Sequence, residues 1–201
     1  MRLLVCCFGW WLACVSFACV PVYAQDAEKG LLTWSDEIPP LPDSIGVAGP
    51  FVGVHGEALI VAGGANFPRP VWESEKVWHD AIHVLRKKDG KYSWKQSGRL
   101  PRPLAYGAAI STKAGVLCIG GNDSTNTFSE VFLLQVDADT GEVKIIDYPS
   151  LPNPCAFGAA ALLGNSDNGV VYLAGGQSGL SLDTATSHVW SLDLSQRADA
   201  G

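Results

Sequence analysis

The sequence predicts an all-β fold of repeated four-stranded units. Three apolar runs each end in a glycine pair, and the first glycines of these pairs, Gly63, Gly120 and Gly175, are 57 and 55 residues apart. A short apolar run that ends at turn residues is typical of a buried strand. Leu-Pro steps at Leu100 and Leu151 are 51 residues apart. A period of about 50 residues is expected of kelch propeller blades. We therefore predict a partial kelch-type β-propeller of about three blades.

The first predicted unit spans about residues 41–99 and holds four strands. They are Gly46–Val54, Leu59–Ala62, Asp80–Leu85 and Tyr92–Gln96. Glycines in the first strand would allow close backbone approach near a propeller axis. Asp89-Gly90 lies between the last two strands and is typical of a hairpin turn. Residues 65–79 are predicted to form a long loop on the way to the third strand.

The second and third units, about residues 100–150 and 151–195, repeat the same order. The second unit contains the predicted strands Gly107–Ser111, Val116–Ile119, Val131–Val136 and Val143–Ile146. The third contains Gly158–Leu162, Val170–Ala174 and Val189–Leu192. Tyr106-Gly107 aligns with Phe157-Gly158, so three features recur together and favour a repeat array.

A further strand is predicted at Leu31–Trp34, before the first unit. Trp34 matches Trp94, since each leads to a Leu-Pro step, so this segment resembles the fourth strand of a unit. Propellers have roughly four to eight blades, and three units do not easily close a ring. Two interpretations follow. The chain is a truncated portion of a longer propeller, or two copies form a homodimer in which each open blade takes the Trp34 strand of the partner.

Composition indicates a well-buried core and excludes some functions. Apolar residues make up 47% of the chain and charged residues 17%, which argues against disorder. The formal charge of -6 comes from scattered acids. No basic stripe with interleaved aromatics is present, so we expect no nucleic-acid partner. No His/Cys cluster suggests a metal site, and we expect no cofactor.

The N-terminal residues 1–24 resemble a secretory signal peptide. Met1-Arg2 is a short positive region, Leu3–Val20 is apolar, and Val22-Tyr23-Ala24 provides a cleavage site. Residues 25–30 are then a polar lead-in. We expect a periplasmic or secreted protein without stable membrane association after cleavage. The alternative is an uncleaved anchor, because the apolar run is just long enough to span a bilayer.

Several motifs resemble the kelch-type sialic-acid mutarotases, the N-acetylneuraminate epimerases. These motifs are Gly49–Val54, Leu59–Phe67, Asp80–His83 and Ala105–Gly107, and their order resembles the cyclically permuted mutarotase branch. The resemblance implies a six-bladed ring and interconversion of the α and β anomers of N-acetylneuraminate, without metal or nucleotide. The family's acidic–arginine pair lies in a middle blade that would follow Gly201. The resemblance therefore assigns no catalytic residue here.

Candidate substrate-binding residues lie on the face that the loops after the glycine pairs share with the loops entering the inner strands. Such a face is the default pocket of a propeller. The candidates are Asn66, Arg69, Glu73, Arg102, Tyr106, Asn122 and Gln177. Arginine suits a sugar carboxylate because its planar fork binds carboxylates in a bidentate manner. Each candidate also has a structural interpretation, such as turn hydrogen bonding for the amides.

Two functions from different classes remain open on these residues. The first is a sugar-acid mutarotase, an isomerase whose partner is a small sugar acid. The second is a non-catalytic kelch module that binds a glycan or a protein through the same face. Acceleration of anomer exchange distinguishes them.

Overall fold

The computed structural model describes residues 32–196, and the chain divides into two compact units, residues 1–35 and 36–201. In the first unit, residues 32–35 form no regular secondary structure, and Leu32 and Trp34 are exposed. The strand predicted at Leu31–Trp34 is therefore wrong for residues 32–34, which have no ladder to satisfy their backbone groups. The predicted signal peptide and lead-in lie outside the described residues. No helix in residues 32–196 is long and apolar enough to cross a bilayer.

The described part of the second unit is built from short antiparallel strands and three short 3-10 helices. The strands are β1 (Phe51–His55), β2 (Ala58–Ala62), β3 (Ala65–Asn66), β4 (Val77–Trp78), β5 (Ala81–Lys88), β6 (Lys91–Arg99), β7 (Ala108–Thr112), β8 (Gly115–Ile119), β9 (Val131–Val136), β10 (Val143–Tyr148), β11 (Ala159–Leu163), β12 (Val170–Ala174) and β13 (Val189–Asp193). The 3-10 helices are Val71–Glu73, Leu182–Thr184 and Leu194–Gln196.

Three sheets form three successive propeller blades. Blade 1 has the strand order β1-β2-β5-β6, blade 2 has β7-β8-β9-β10, and blade 3 has β11-β12-β13. All pairs within the blades are antiparallel. Strand β1 contacts β7, and β7 contacts β11, so the first strand of each blade lies innermost. The prediction of an all-β, partial kelch-type propeller is confirmed.

Apolar side chains fill the two spaces between blades. Phe51 and Ile60 of blade 1 pack with Val116 of blade 2 in the first space. Leu117 of blade 2 packs with Leu173 of blade 3 in the second. Neighbouring residues of β8 thus face opposite blades, which explains its continuous apolar sequence, since a strand buried on both faces needs no polar alternation.

Each glycine pair places two left-handed residues where a blade meets the next one. In blade 2, Gly120 and Gly121 have φ values of 61° and 111°, and the Gly121 N–H donates to the Cys155 carbonyl at 2.8 Å. A Cβ at Gly120 would lie only 2.1 Å from that carbonyl oxygen. Glycine is therefore required both by the backbone conformation and by the approach of the next blade.

Two predicted segments differ from the structure. The strand predicted at Gly46–Val54 begins only at Phe51, because Gly46 and Gly49 adopt φ values of 76° and 61° and Pro50 has no N–H to donate. The predicted loop 65–79 contains the two-residue ladder of β3 and β4. Within the described residues, Cys118 and Cys155 are buried free thiols.

Candidate functional site

The axial face is formed by the loops that enter β1, β7 and β11 and the loops that follow β2, β8 and β12. In each blade one bridge joins the two loops: Ala48 pairs with Ala65, Ala105 with Asn122, and Ala156 with Gln177. Asn122 and Gln177 are therefore equivalent positions, two residues after the first glycine of the pair. Asn66 lies one position further along its loop.

The residue after each entry-loop alanine adopts the left-handed conformation. Gly49, Tyr106 and Phe157 have φ values of 61°, 62° and 59°. The Tyr106 N–H donates to the Gly49 carbonyl, and the Phe157 N–H donates to the Tyr106 carbonyl, each at 2.7 Å. A bulky residue at positive φ is uncommon. Two aromatic residues at positive φ in equivalent loops therefore distinguish the axial face from the rest of the described structure.

The Tyr106 and Phe157 side chains form an aromatic stack beside a lysine. Their ring centroids are 4.6 Å apart with an interplanar angle of 27°. The Lys76 Nζ lies 4.3 Å from the Tyr106 centroid and 5.1 Å from that of Trp78. The Trp78 Nε1 in turn donates to the buried Asn122 Oδ1 at 3.2 Å. These five residues, contributed by all three blades, constitute the axial site.

The axial site combines a cation with an exposed aromatic surface. Lys76 is half-buried, and it makes no ion pair with any residue of the described range 32–196. The Phe157 side chain is 51% exposed. A lysine ammonium offers three hydrogen-bond donors, and an aromatic face offers apolar area. Such a site can bind a small anion that also has an apolar surface.

The structure places two of the predicted residues, Tyr106 and Asn122, in the axial site. Gln177 lies at the equivalent position of blade 3, and its side chain makes no hydrogen bond with the described residues. Asn66 is held by its own surroundings. Its Nδ2 donates to the Gly46 carbonyl at 2.8 Å, and its Oδ1 lies 2.8 Å from the His79 Nε2. The turn-stabilising interpretation therefore accounts for Asn66.

The three charged candidates lie outside the aromatic stack. Arg102 pairs with Glu130 at 2.9 Å, and its guanidinium lies 4.6 Å from the Phe128 ring centroid. Arg69 and Glu73 are exposed on the loop after β3, and neither side chain bonds to another described residue. Substrate binding by these residues stays a prediction.

Asp123, the acid that follows the second glycine pair, stabilises the turn in which it lies. Burial acts to raise the pKa of Asp123, but the backbone N–H groups of Thr125 and Asn126 outweigh it and lower the pKa of the carboxyl. Its Oδ1 accepts from both groups, at 2.7 and 2.8 Å. A carboxylate held ionised in this way is a poor general acid. Across residues 32–196, no three His, Cys, Asp or Glu side chains are grouped to hold a metal ion.

Lys76, Trp78 and Phe157 were not predicted as site residues. Lys76 and Trp78 occupy the loop predicted to lack secondary structure, and only the β3–β4 ladder brings them to the axial face. Phe157 carried a usable signal, because it aligns with Tyr106 after an alanine in each entry loop. A lone lysine in a loop carries no such signal.

Comparison with known proteins decides the family. A family model described as N-acetylneuraminate epimerase matches residues 24–145. The chain belongs to the N-acetylneuraminate epimerase family. The match includes Lys76, Trp78, Tyr106 and Asn122, so four of the five axial-site residues lie inside the family region.

Individual relatives of the epimerase family match about half of the chain. N-acetylneuraminate epimerase of Brucella suis is 40% identical over an alignment of 123 residues, and the match covers 54% of this chain and 31% of that protein. The Vibrio vulnificus protein of the same name is 37% identical over 111 residues, covering 51% of this chain and 28% of the relative. A solved structure titled "Structure of YjhT" is 28% identical, covers 54% of this chain and 33% of that one, and has a TM-score of 0.47. The chain thus spans about a third of the length of these curated epimerases.

Proposed function

We propose that this chain is part of a mutarotase that interconverts the α and β anomers of N-acetylneuraminate or a related sugar acid. One observation carries the proposal: the family match over residues 24–145 includes four residues of the axial site. Those residues form a cationic and aromatic surface on the face where propellers commonly bind small molecules.

Mutarotation of a sugar acid requires two proton transfers and a cation for the carboxylate. One proton leaves the anomeric hydroxyl and another reaches the ring oxygen, and an acid or base with a pKa near neutrality suits these steps. Among the described residues, the axial site contains a lysine, a phenol, an indole, an amide and a phenyl ring, but no carboxylate. We therefore propose that the site binds and orients the sugar, and we assign the proton transfers to no residue of the range 32–196.

Anomer exchange of N-acetylneuraminate measures the proposed activity. Magnetisation-transfer NMR should show faster exchange between the anomers with the folded protein than with the same protein after heat unfolding. A Tyr106→Gly variant keeps a residue suited to the left-handed backbone and removes the stack, so it should lower the rate. Binding of the sugar without any acceleration by the wild-type protein would instead support the non-catalytic kelch module.

We also propose that residues 1–24 are a cleaved signal peptide and that the mature protein works in the periplasm or outside the cell. Mass spectrometry of the protein recovered from the periplasm of an expressing bacterium should give a mature chain beginning at Gln25. Full-length chain retained in the membrane fraction would support the uncleaved anchor.

We propose that this chain is a portion of a longer propeller, with a homodimer that completes a six-bladed ring as the alternative. A space of about 650 Å³ lies beside the end of β13 and is lined by apolar residues such as Ile146 and Leu192 together with polar ones such as Lys144 and Asp147. Strand β13 is the edge of its three-stranded sheet, and an unpaired edge can take another strand. Light scattering distinguishes the two: a dimeric mass would support the homodimer, and a folded monomer would refute it.

A further inference from the structure

We propose that Lys76 binds the carboxylate of an anionic sugar while the Tyr106–Phe157 stack packs against the apolar face of its ring. This inference rests on the proposed function, because it names the groups of the same site that recognise the substrate. It assigns Lys76, a residue outside any recognised motif of the chain, as the group that selects the charge of the ligand.

The first argument is the position of the Lys76 ammonium. Four ion pairs are formed within residues 32–196, and their cations are Lys95, Arg99, Arg102 and Lys113. Lys76 has no such partner, although its side chain is half-buried between the Tyr106 and Trp78 rings. The rings hold the ammonium through cation–π contacts and leave its charge uncompensated. An ammonium that is fixed in place and has no carboxylate partner in the protein is suited to bind the carboxylate of a ligand.

The second argument is the cost of the two aromatic side chains. At the equivalent position of blade 1 the chain has Gly49, so the left-handed backbone and its inter-blade hydrogen bond do not require an aromatic residue. Tyrosine and phenylalanine are strained in this conformation, and strain of this kind gathers at functional sites. The Phe157 ring adds little to the core, since it is 51% exposed. We therefore assign to the Phe157 ring the role of presenting an apolar surface to a ligand.

The third argument is the arrangement of polar groups around the stack. The Trp78 Nε1 donates to the Asn122 Oδ1, which fixes the indole and leaves the Asn122 Nδ2 without a partner among the described residues. A sugar acid bound on the stack would thus meet an ammonium, an amide donor and the Tyr106 hydroxyl. A few polar groups converging on an apolar surface are typical of a small-molecule site.

The test compares a charged and a neutral form of one sugar on the full chain. Isothermal titration calorimetry should show that wild-type protein binds N-acetylneuraminate at least about tenfold more tightly than its methyl ester, the contribution expected of one charge-assisted hydrogen bond. Lys76→Gln should remove this preference, and Lys76→Arg should retain most of it. Lys87→Gln is the matched control, because the Lys87 Nζ also lies over a tyrosine ring, 4.9 Å from the Tyr92 centroid, away from the axial face. It should bind like wild type.

Equal affinity of wild-type protein for the acid and the ester overturns the inference, and this comparison needs no variant to fold. An undiminished preference in folded Lys76→Gln overturns it as well. The two hypotheses fail separately. A charge preference that depends on Lys76 without acceleration of anomer exchange supports this inference against the proposed mutarotase. Acceleration of anomer exchange that does not depend on Lys76 supports the proposed mutarotase and refutes this inference.

Discussion

Replacing Gly107 by alanine tests whether the inner strands of the blades are packed as closely as the structure indicates. Gly107 directly precedes β7 and has no left-handed backbone, so only space decides the effect. A Cβ at this position would lie 2.3 Å from the Phe51 Cε1 and 2.8 Å from the Gly120 carbonyl oxygen. Carbon atoms in contact normally stay about 3.5–4.0 Å apart. The overlap with the ring therefore exceeds about 1 Å.

The neighbours of Gly107 have little freedom to yield. Phe51 is fully buried and packs edge-on against Phe132, with ring centroids 5.7 Å apart. Overpacking of a core costs about 1–3 kcal/mol, and this overlap belongs at the upper end of that range. The lower entropy of an unfolded chain with alanine returns about 0.4–1 kcal/mol. We expect Gly107→Ala to lower the free energy of unfolding by about 2 kcal/mol.

Urea unfolding followed by tryptophan fluorescence measures the change. With a slope of about 2 kcal/mol per molar urea, the midpoint should fall by about 1 M. Gly158→Ala is the matched control at the same position of blade 3. There the nearest atoms, the Cys155 Sγ and the Leu173 Cδ1, lie 3.0 and 3.1 Å away and can give way. Its midpoint should move by less than about half as much. Equal midpoints for the two variants would refute the reasoning.

Three further predictions follow from the described contacts. Burial lowers the pKa of His83, although the negative charge of Asp43 acts to raise it. The unfolded chain therefore binds the proton more tightly than the folded chain, and the free energy of unfolding should fall as pH drops below about 6.5. Urea titrations at several pH values should show a weaker pH dependence for His83→Gln. Burial raises the pKa of Cys118 well above its usual range, so a thiol reagent at pH 8 should label it slowly in native protein and quickly in urea; fast native labelling would contradict the buried β8. Arg102→Gln removes a half-exposed ion pair with Glu130 and should change stability by less than about 1 kcal/mol; a larger loss in the same urea assay would show a role beyond the pair.

The sequence predicted the blade strands well because each is a short apolar run that ends at turn residues. The predicted bounds of β9 and β12 agree with the structure, and β2 differs by one residue. These strands lie in the interior of their sheets. Strands β2 and β9 are buried on both faces, and β12 alternates buried residues such as Val171 and Leu173 with more exposed ones, yet all three are apolar runs with sharp ends. Position in the sheet, more than local propensity, made them predictable.

The axial site was less predictable because distant segments assemble it. The β3–β4 ladder has two residues in each strand, and the two strands are separated by the loop 67–76. No local pattern indicates so short a ladder. The left-handed conformation of Tyr106 was hidden as well, since aromatic residues favour the β region. Its hydrogen bond to Gly49, a residue of the preceding blade, holds it there.

The hydrogen bonds between the left-handed residues have a consequence for how specificity can change. Gly49 accepts from Tyr106, and Tyr106 accepts from Phe157, through main-chain atoms alone. These two main-chain hydrogen bonds set the spacing of neighbouring blades at the axis, and no side-chain atom takes part in them. Glycine, tyrosine and phenylalanine already occupy the three positions. At Tyr106 and Phe157 the side chain can therefore change without loss of these hydrogen bonds. A Cβ at Gly49 would lie 2.3 Å from the Tyr106 Cδ1, so Gly49 is restricted as long as Tyr106 is present. The choice of ligand can thus change at two of the three positions while the main-chain contacts between blades stay the same.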